Sequence, residues 1–173
     1  QEIDFRRMYG PLSKWVAQID EAARIPEMVS RAFCVATAGR PGPVVLALPE
    51  DMLFETASVD DVQSYRTARA CPSSDAMEKL WLMMSEAERP LLILGGGGWD
   101  TATVNSVQSF AERFGLPVVT SFRRQDYFDN AHPLFSGYLG LGIDQKLADR
   151  VQDADLLLVL GARLGEVSTS GYS

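Results

Sequence analysis

The sequence predicts an α/β fold: a Rossmann-like, doubly wound parallel sheet, preceded by a fragment of another α/β domain. Three observations predict it. Residues 91–94 and 156–160 are apolar throughout, as strands covered on both faces are. Segments with apolar residues at helical spacing alternate with those runs. The run at 91–94 passes directly into Gly95, Gly96, Gly97 and Gly98, a turn of the kind that joins strand to helix in such folds.

Taken in order, residues 1–49 read as the end of a first domain. Residues 13–23 have helical spacing. Residues 25–38 form a stronger helix, with Pro26 in its first turn and Met28, Val29, Ala32, Phe33 and Ala36 along one apolar face that also takes in Cys34. Gly39 ends it, and Arg40-Pro41-Gly42-Pro43 makes a stiff turn. Residues 44–48, Val-Val-Leu-Ala-Leu, read as a buried strand closed by Pro49. Residues 50–72 have weak periodicity and carry Glu50, Asp51, Glu55, Asp60 and Asp61; they read as a surface linker between domains.

Residues 73–173 form the second domain. Ser73, Ser74 and Asp75 supply a helix cap. Met77, Leu80, Trp81 and Met84 then fall on one face, so a helix leads into the strand at 91–94. After the glycines, Val104, Val107, Phe110, Ala111 and Phe114 mark a helix that Gly115 ends. Residues 116–120 read as a strand and 121–141 as a looser stretch. Ile143, Leu147 and Val151 mark a further helix, and 156–160 the last strand, followed by Gly161. The chain lacks an initiator Met, and its last residues follow a strand where a doubly wound domain continues. It is therefore expected to be an internal piece of a longer protein.

Composition narrows the function. The net charge is −7, which disfavours nucleic acid and anionic membranes as partners, since both select a basic footprint. No apolar run approaches the roughly 20 residues of a membrane span. The two cysteines, Cys34 and Cys71, make neither a disulfide framework nor a zinc pattern, which suits a cytoplasmic protein. The single His132 precedes Pro133 in a polar stretch and reads as a surface or capping residue. One histidine excludes a Ser/His/Asp set. No metal-ligand spacing occurs, and no P-loop lysine follows the glycines.

What remains is a binding crevice. A glycine turn between strand and helix presents main-chain N–H groups at a helix N-terminus, where a phosphate is stabilised. The same glycines also satisfy a purely structural need for positive φ and close packing. Ligands in open parallel sheets lie outside the carboxyl ends of the strands. The candidate cofactor-binding residues are therefore Gly95, Gly96 and Gly97; Thr120, Ser121 and Phe122; and Gly161, Ala162 and Arg163, with Gly140-Leu141-Gly142 on the same rim. Arg163 offers either a bidentate partner for phosphate or a salt bridge to a nearby acid.

Residues 39–51, Gly-Arg-Pro-Gly-Pro-Val-Val-Leu-Ala-Leu-Pro-Glu-Asp, closely resemble the end of the pyrimidine-binding domain of thiamine-diphosphate-dependent enzymes of the acetolactate synthase large-subunit type. Residues 24–36 resemble the helix before it. Residues 89–97, 114–120 and 153–163 are similar to the start and later strands of that family's central domain. The resemblance implies thiamine diphosphate and Mg2+ in the full-length enzyme, held mostly by residues outside this chain, and a 2-keto acid substrate. It implies Gln1 near the thiamine cofactor, no catalytic residue otherwise, and a homodimer or homotetramer whose active sites form between subunits. For the central domain it implies FAD, an adenine nucleotide such as ADP, or no nucleotide, as members of the family differ. FAD-binding members carry Arg-Phe-Asp-Asp after the last strand, whereas this chain has Arg163-Leu164-Gly165-Glu166, which weighs against FAD. Two other readings compete: a stand-alone nucleotide-binding regulatory module, and an NAD-dependent deacylase, disfavoured by the cysteine count.

Overall fold

The structure is a computed structural model that describes residues 3–66, 70–169 and 171–172. It divides into two compact units, Gln1–Pro72 and Ser73–Ser173.

The first unit contains helix α1 (Phe5–Tyr9), strand β1 (Trp15–Gln18), helix α2 (Ile25–Thr37) and strand β2 (Val44–Ala47). The strands pair in parallel, with Trp15 opposite Val44 and Gln18 opposite Ala47. Residues 13–23, expected to be helical, therefore hold a strand instead. Trp15, Val16 and Ala17 carry the aromatic and β-branched character of a strand, and backbone bonds on either side of it, Lys14 N–H to Pro43 O (2.8 Å) and Ile19 N–H to Ala47 O (3.0 Å), extend its pairing with β2. The small core is Ala17, Ile19, Met28 and Met52, with Trp15, Ile25 and Leu46 packed on it. On α2, Pro26 occupies the first turn as the sequence suggests. Its apolar face is mostly open: Met28 is buried, but Phe33 is 50% exposed and Cys34, expected in the core, is exposed. Residues 50–66 lie on this unit. Met52 enters the core, the Glu55 carboxylate accepts the Ala22 N–H at 3.1 Å, and Tyr65 stacks on Phe33 with ring centres 5.0 Å apart.

The second unit runs α3 (Ser74–Glu86), β3 (Pro90–Leu94), α4 (Thr101–Phe114), β4 (Val118–Ser121), β5 (Phe135–Leu139), α5 (Gln145–Gln152) and β6 (Leu156–Leu160). Its four strands are all parallel, in the order β5-β4-β3-β6. Strands 91–94 and 156–160 stand where the sequence places them. The looser stretch at 121–141 conceals β5, whose Phe-Ser-Gly-Tyr-Leu sequence is interrupted by Gly137 at φ +122° and whose register on β4 slips between Val118 and Val119. An edge strand with a bulge needs no continuous apolar run.

The crossovers explain the two faces. From β3 the chain passes through α4 to β4, and through the loop at 122–134 to β5; Leu92, Leu94, Val118, Ala111, Tyr127 and Phe128 pack on that side. From β5 it returns through α5 to β6 on the far side of β3, and Leu91, Ile93, Val119, Leu139 and Leu147 fill the opposite face. Right-handed connections running in opposite directions across a sheet fall on opposite faces. The reversal at β3 makes the β3–β6 junction the switch point, where ligands bind in open α/β sheets.

The helices are terminated as their sequences direct. The Ser73 side chain accepts the Ala76 N–H at the start of α3. Gly115, at φ +61°, closes α4 in the left-handed region. On α3 and α4, Trp81 and Phe114 were expected inside but are 44% and 41% exposed; they pack on each other with ring centres 5.4 Å apart. At the opposite end of the sheet, the Asp155 carboxylate accepts the N–H groups of Glu88 (2.8 Å) and Arg89 (2.9 Å), tying the turn before β3 to the start of β6.

Candidate functional site

Three strand ends converge at the switch point. β3 delivers Gly95 and Gly96, β4 delivers Ser121, and β6 delivers Gly161 and Ala162. They meet at backbone level. The Gly95 N–H donates to Leu160 O at 3.0 Å. A β-carbon on Gly95 would overlap the Ser121 hydroxyl and stand 2.8 Å from the Ala162 β-carbon. A β-carbon on Gly96, which sits at φ +77°, would overlap the Gly161 carbonyl. Gly161, at φ +70°, leaves room only for hydrogen: a β-carbon there would lie 2.5 Å from Gly95 O. Gly95, Gly96 and Gly161 thus let two loops pass in contact where side chains would part them.

The outer half of the turn is open. Gly97 and Gly98 are exposed, and a β-carbon on either would meet nothing within 4 Å. Gly96 and Gly98 have positive φ while Gly95 and Gly97 do not. Alternation of handedness along successive residues turns consecutive N–H groups toward one concavity, an anion-binding arrangement. The N–H groups of Gly97, Gly98 and Trp99 donate to no acceptor among the described residues. Helix α4 begins immediately after, and its first-turn N–H groups add a positive dipole end. One charge opposes an anion there: the Asp100 carboxylate caps α4, accepting from Thr103 N (2.7 Å) and Thr103 Oγ1 (2.6 Å).

Two aromatic side chains close the inner half of the turn. Trp99 Nε1 donates to Gly95 O at 2.8 Å, and the Tyr127 hydroxyl donates to Gly96 O at 3.0 Å. The two rings stack, with centres 4.8 Å apart and planes 26° from parallel. The Arg124 guanidinium lies 5.4 Å from the Tyr127 ring centre. Neither Trp99 nor Tyr127 stands out in the sequence as a site residue; the only local signal was an aromatic residue directly after a glycine run.

The remaining candidates separate. Thr120 is fully buried and paired opposite Leu94 in the sheet, so it belongs to the core under α4 rather than to the rim; its hydroxyl has no hydrogen-bond partner among the described residues. Phe122 is 36% exposed, with the Arg123 guanidinium 4.9 Å from its ring centre. Arg123 has φ +62°. Arg163 is exposed at the rim beyond Ala162 and forms no ion pair among the described residues. Phe122 also touches the 140–142 segment: a β-carbon on Gly140 would stand 2.9 Å from its ring. Gln1 lies outside the described residues.

His132 has a structural place. Its Nδ1 accepts the Leu134 N–H at 3.2 Å, and its Nε2 lies 3.1 Å from Glu112 Oε1, pinning the loop before β5 to α4. The Glu112 carboxyl is held below its usual range by the Gln108 side-chain hydrogen bond and, against the opposing effect of burial, by His132. No group of His, Cys, Asp and Glu among the described residues has the geometry to hold a metal ion. No described helix is long and apolar enough to cross a membrane.

A parallel sheet with a glycine turn and an aromatic clamp at its switch point defines a Rossmann-like α/β unit. Comparison with known proteins gives the family. Residues 77–173 match the model of the thiamine pyrophosphate enzyme central domain, and the chain belongs to that family. It is 30% identical over 173 residues to the acetolactate synthase large subunit of Corynebacterium glutamicum, which covers 96% of this chain and 27% of that protein. It is 28% identical to a sulfoacetaldehyde acetyltransferase of Rhodobacter capsulatus, over 99% of this chain and 29% of the relative. The crystal structure of benzoylformate decarboxylase from Polynucleobacter necessarius superposes with a TM-score of 0.77 at 31% identity, over 92% of this chain and 30% of that one. The chain thus spans less than a third of the length of these relatives.

Proposed function

We propose that the chain is part of a thiamine diphosphate-dependent enzyme that decarboxylates a 2-keto acid and passes the product to an acceptor or a proton. Its second unit serves as scaffold and nucleotide site rather than as reaction centre. The family match over residues 77–173 is the observation that supports this most directly. Its names include a synthase, an acetyltransferase and a decarboxylase, which fit one chemistry with different acceptors. When bound, thiamine diphosphate supplies the electron sink for the carbanion left by decarboxylation.

The described residues of the first unit do not fit the diphosphate or its metal. The groove at the carboxyl ends of β1 and β2 is lined by Phe5, Tyr9, Leu48 and Phe54 with the acids Asp4, Glu50 and Asp51, and by no lysine or arginine. Carboxylates repel a diphosphate, and they are not gathered into a metal-binding group. The second unit does fit a diphosphate of a different ligand. Its open glycine turn, the start of α4 and Arg163, which forms no ion pair among the described residues, offer donors of the kind a diphosphate needs, and they support ADP or a related adenine nucleotide in preference to FAD. The parent protein is read as a cytoplasmic homodimer or homotetramer.

The test uses the polypeptide that carries this chain, supplied with thiamine diphosphate and Mg2+. Carbon dioxide release is followed with pyruvate and with benzoylformate. Saturable release that depends on the cofactor is expected from one of them, while the 173-residue chain alone turns over neither. No release from any of a panel of 2-keto acids counts against the reading, and so does turnover by the isolated chain.

A further inference from the structure

We infer that Trp99 and Tyr127 are positioning residues that orient the glycine turn for a diphosphate, an inference that rests on the nucleotide reading of that turn. A glycine peptide has two faces with opposite electrostatics: its N–H attracts an anion and its carbonyl repels one. Glycine populates positive and negative φ about equally, so a run of four leaves the direction of each peptide unit weakly determined by the chain itself. Two side-chain donors remove that freedom. Trp99 Nε1 holds Gly95 O at 2.8 Å and the Tyr127 hydroxyl holds Gly96 O at 3.0 Å. With both carbonyls drawn to the aromatic side, the N–H groups that follow are left to the open side.

The clamp is built rather than incidental. Trp99 lies on the turn itself, whereas Tyr127 comes from the loop after β4 and is 8% exposed. Their stacking at 4.8 Å makes each ring support the other's hydrogen bond. Gly161 completes it, because a β-carbon at that position would stand 3.0 Å from Trp99 Nε1. Gly97 and Gly98 have no such restraint and stay exposed, as a surface that meets a ligand requires.

Removing either donor while keeping its ring isolates the effect. Trp99→Phe and Tyr127→Phe each delete one neutral hydrogen bond, which corresponds to a loss of about 3- to 10-fold in an equilibrium that depends on it. The chain and both variants are titrated calorimetrically with ADP, AMP and adenosine, and their thermal unfolding is recorded. We expect ADP affinity to fall about 3- to 10-fold in each variant, with adenosine affinity unchanged and cooperative unfolding retained. A merely structural role lowers adenosine and ADP affinity together. Parallel loss for both ligands overturns the inference, as does equal ADP affinity in all three proteins. If the unsubstituted chain binds none of the three ligands, the nucleotide reading itself fails and the inference falls with it, an outcome distinct from the other two.

Discussion

The substitution Gly96→Ala tests whether β3 and β6 are closed backbone against backbone at the switch point. Gly96 has φ +77°, and placing an L-residue in the left-handed region costs about 1–2 kcal/mol. The new β-carbon would also overlap the Gly161 carbonyl and stand 2.7 Å from its carbon. That neighbour is main chain and cannot rotate away. Gly161 is itself hemmed in by Gly95 O and Trp99 Nε1 at 2.5 and 3.0 Å from its own β-carbon position. Relief requires the ends of β3 and β6 to part, at the roughly 1–3 kcal/mol typical of overpacking. Together these give about 2–5 kcal/mol, a large share of the 5–15 kcal/mol that holds an ordinary domain. In a unit of the size of Ser73–Ser173, each kcal/mol moves the melting temperature by about 4–8 °C, so a drop of roughly 8 °C or more is expected. Gly97→Ala is the control. Gly97 has no positive φ and no neighbour within 4 Å of its β-carbon position, so its loss of unfolded-state freedom leaves stability unchanged or raised by about 0.4–1 kcal/mol. Thermal and urea unfolding followed by circular dichroism compare the two. Equal midpoints for both variants would show that the junction is looser than its geometry, and the reasoning would fail.

Three further outcomes follow from other contacts. Asp100→Asn keeps a good helix cap but removes the negative charge at the start of α4, next to the glycine turn in sequence, so unfolding should be little changed while ADP affinity rises several-fold; unchanged affinity in calorimetry places the anion elsewhere. Thr120→Val replaces a buried hydroxyl that has no partner and should raise stability by about 1–3 kcal/mol in urea titrations, whereas destabilisation would mean the hydroxyl is hydrogen-bonded in solution. Burial alone would raise the Asp155 carboxyl, but the N–H groups of Glu88 and Arg89 and the Arg89 charge outweigh it and hold the pKa below its usual value. A depressed carboxyl stabilises the fold above its unfolded pKa of about 3.9 and loses that contribution as pH falls through the folded value. The melting-temperature gap between the unsubstituted chain and Asp155→Asn should hold from about pH 7 to pH 5 and close below roughly pH 4; a gap independent of pH would remove the charge from the explanation.

The sheet of the second unit was legible where burial is a matter of local composition. Residues 91–94 are apolar at every position because both neighbours and both faces are protein; residues 156–160 are equally apolar although β6 has β3 as its one described neighbour and Leu157 is 37% exposed. Legibility failed where pairing or partner choice decides. Residues 13–23 have helical spacing but give β1, since what fixes Trp15–Gln18 is the parallel partner at Val44–Ala47, about thirty residues away. β5 hides behind Gly137 and Ser136 because an edge strand satisfies only one neighbour. On α2, periodicity identifies an apolar face but not what covers it, so Cys34 and Phe33 read as core and stand exposed.

The site divides along the same line. Gly95, Gly96, Ser121, Gly161 and Ala162 were all candidates, and the fold brings them into contact. The hydrogen bonds that fix the inner half of the turn, however, come from Trp99 and Tyr127. Tyr127 lies in a stretch without periodicity and acts on a carbonyl 31 residues away in sequence, so no local pattern reveals it. The glycines carry the same lesson in reverse. Read alone, Gly96 suggests a phosphate turn and Gly161 a strand end. Once β3 and β6 are neighbours, the two belong to one junction, in which the Gly161 carbonyl leaves Gly96 no room for a side chain and Gly95 O leaves none for Gly161. Gly97 and Gly98, whose β-carbon positions meet nothing within 4 Å among the described residues, are the part of the run left open for the proposed phosphate. A glycine run is thereby split by topology into an inner half that closes the switch point and an outer half that can receive a ligand.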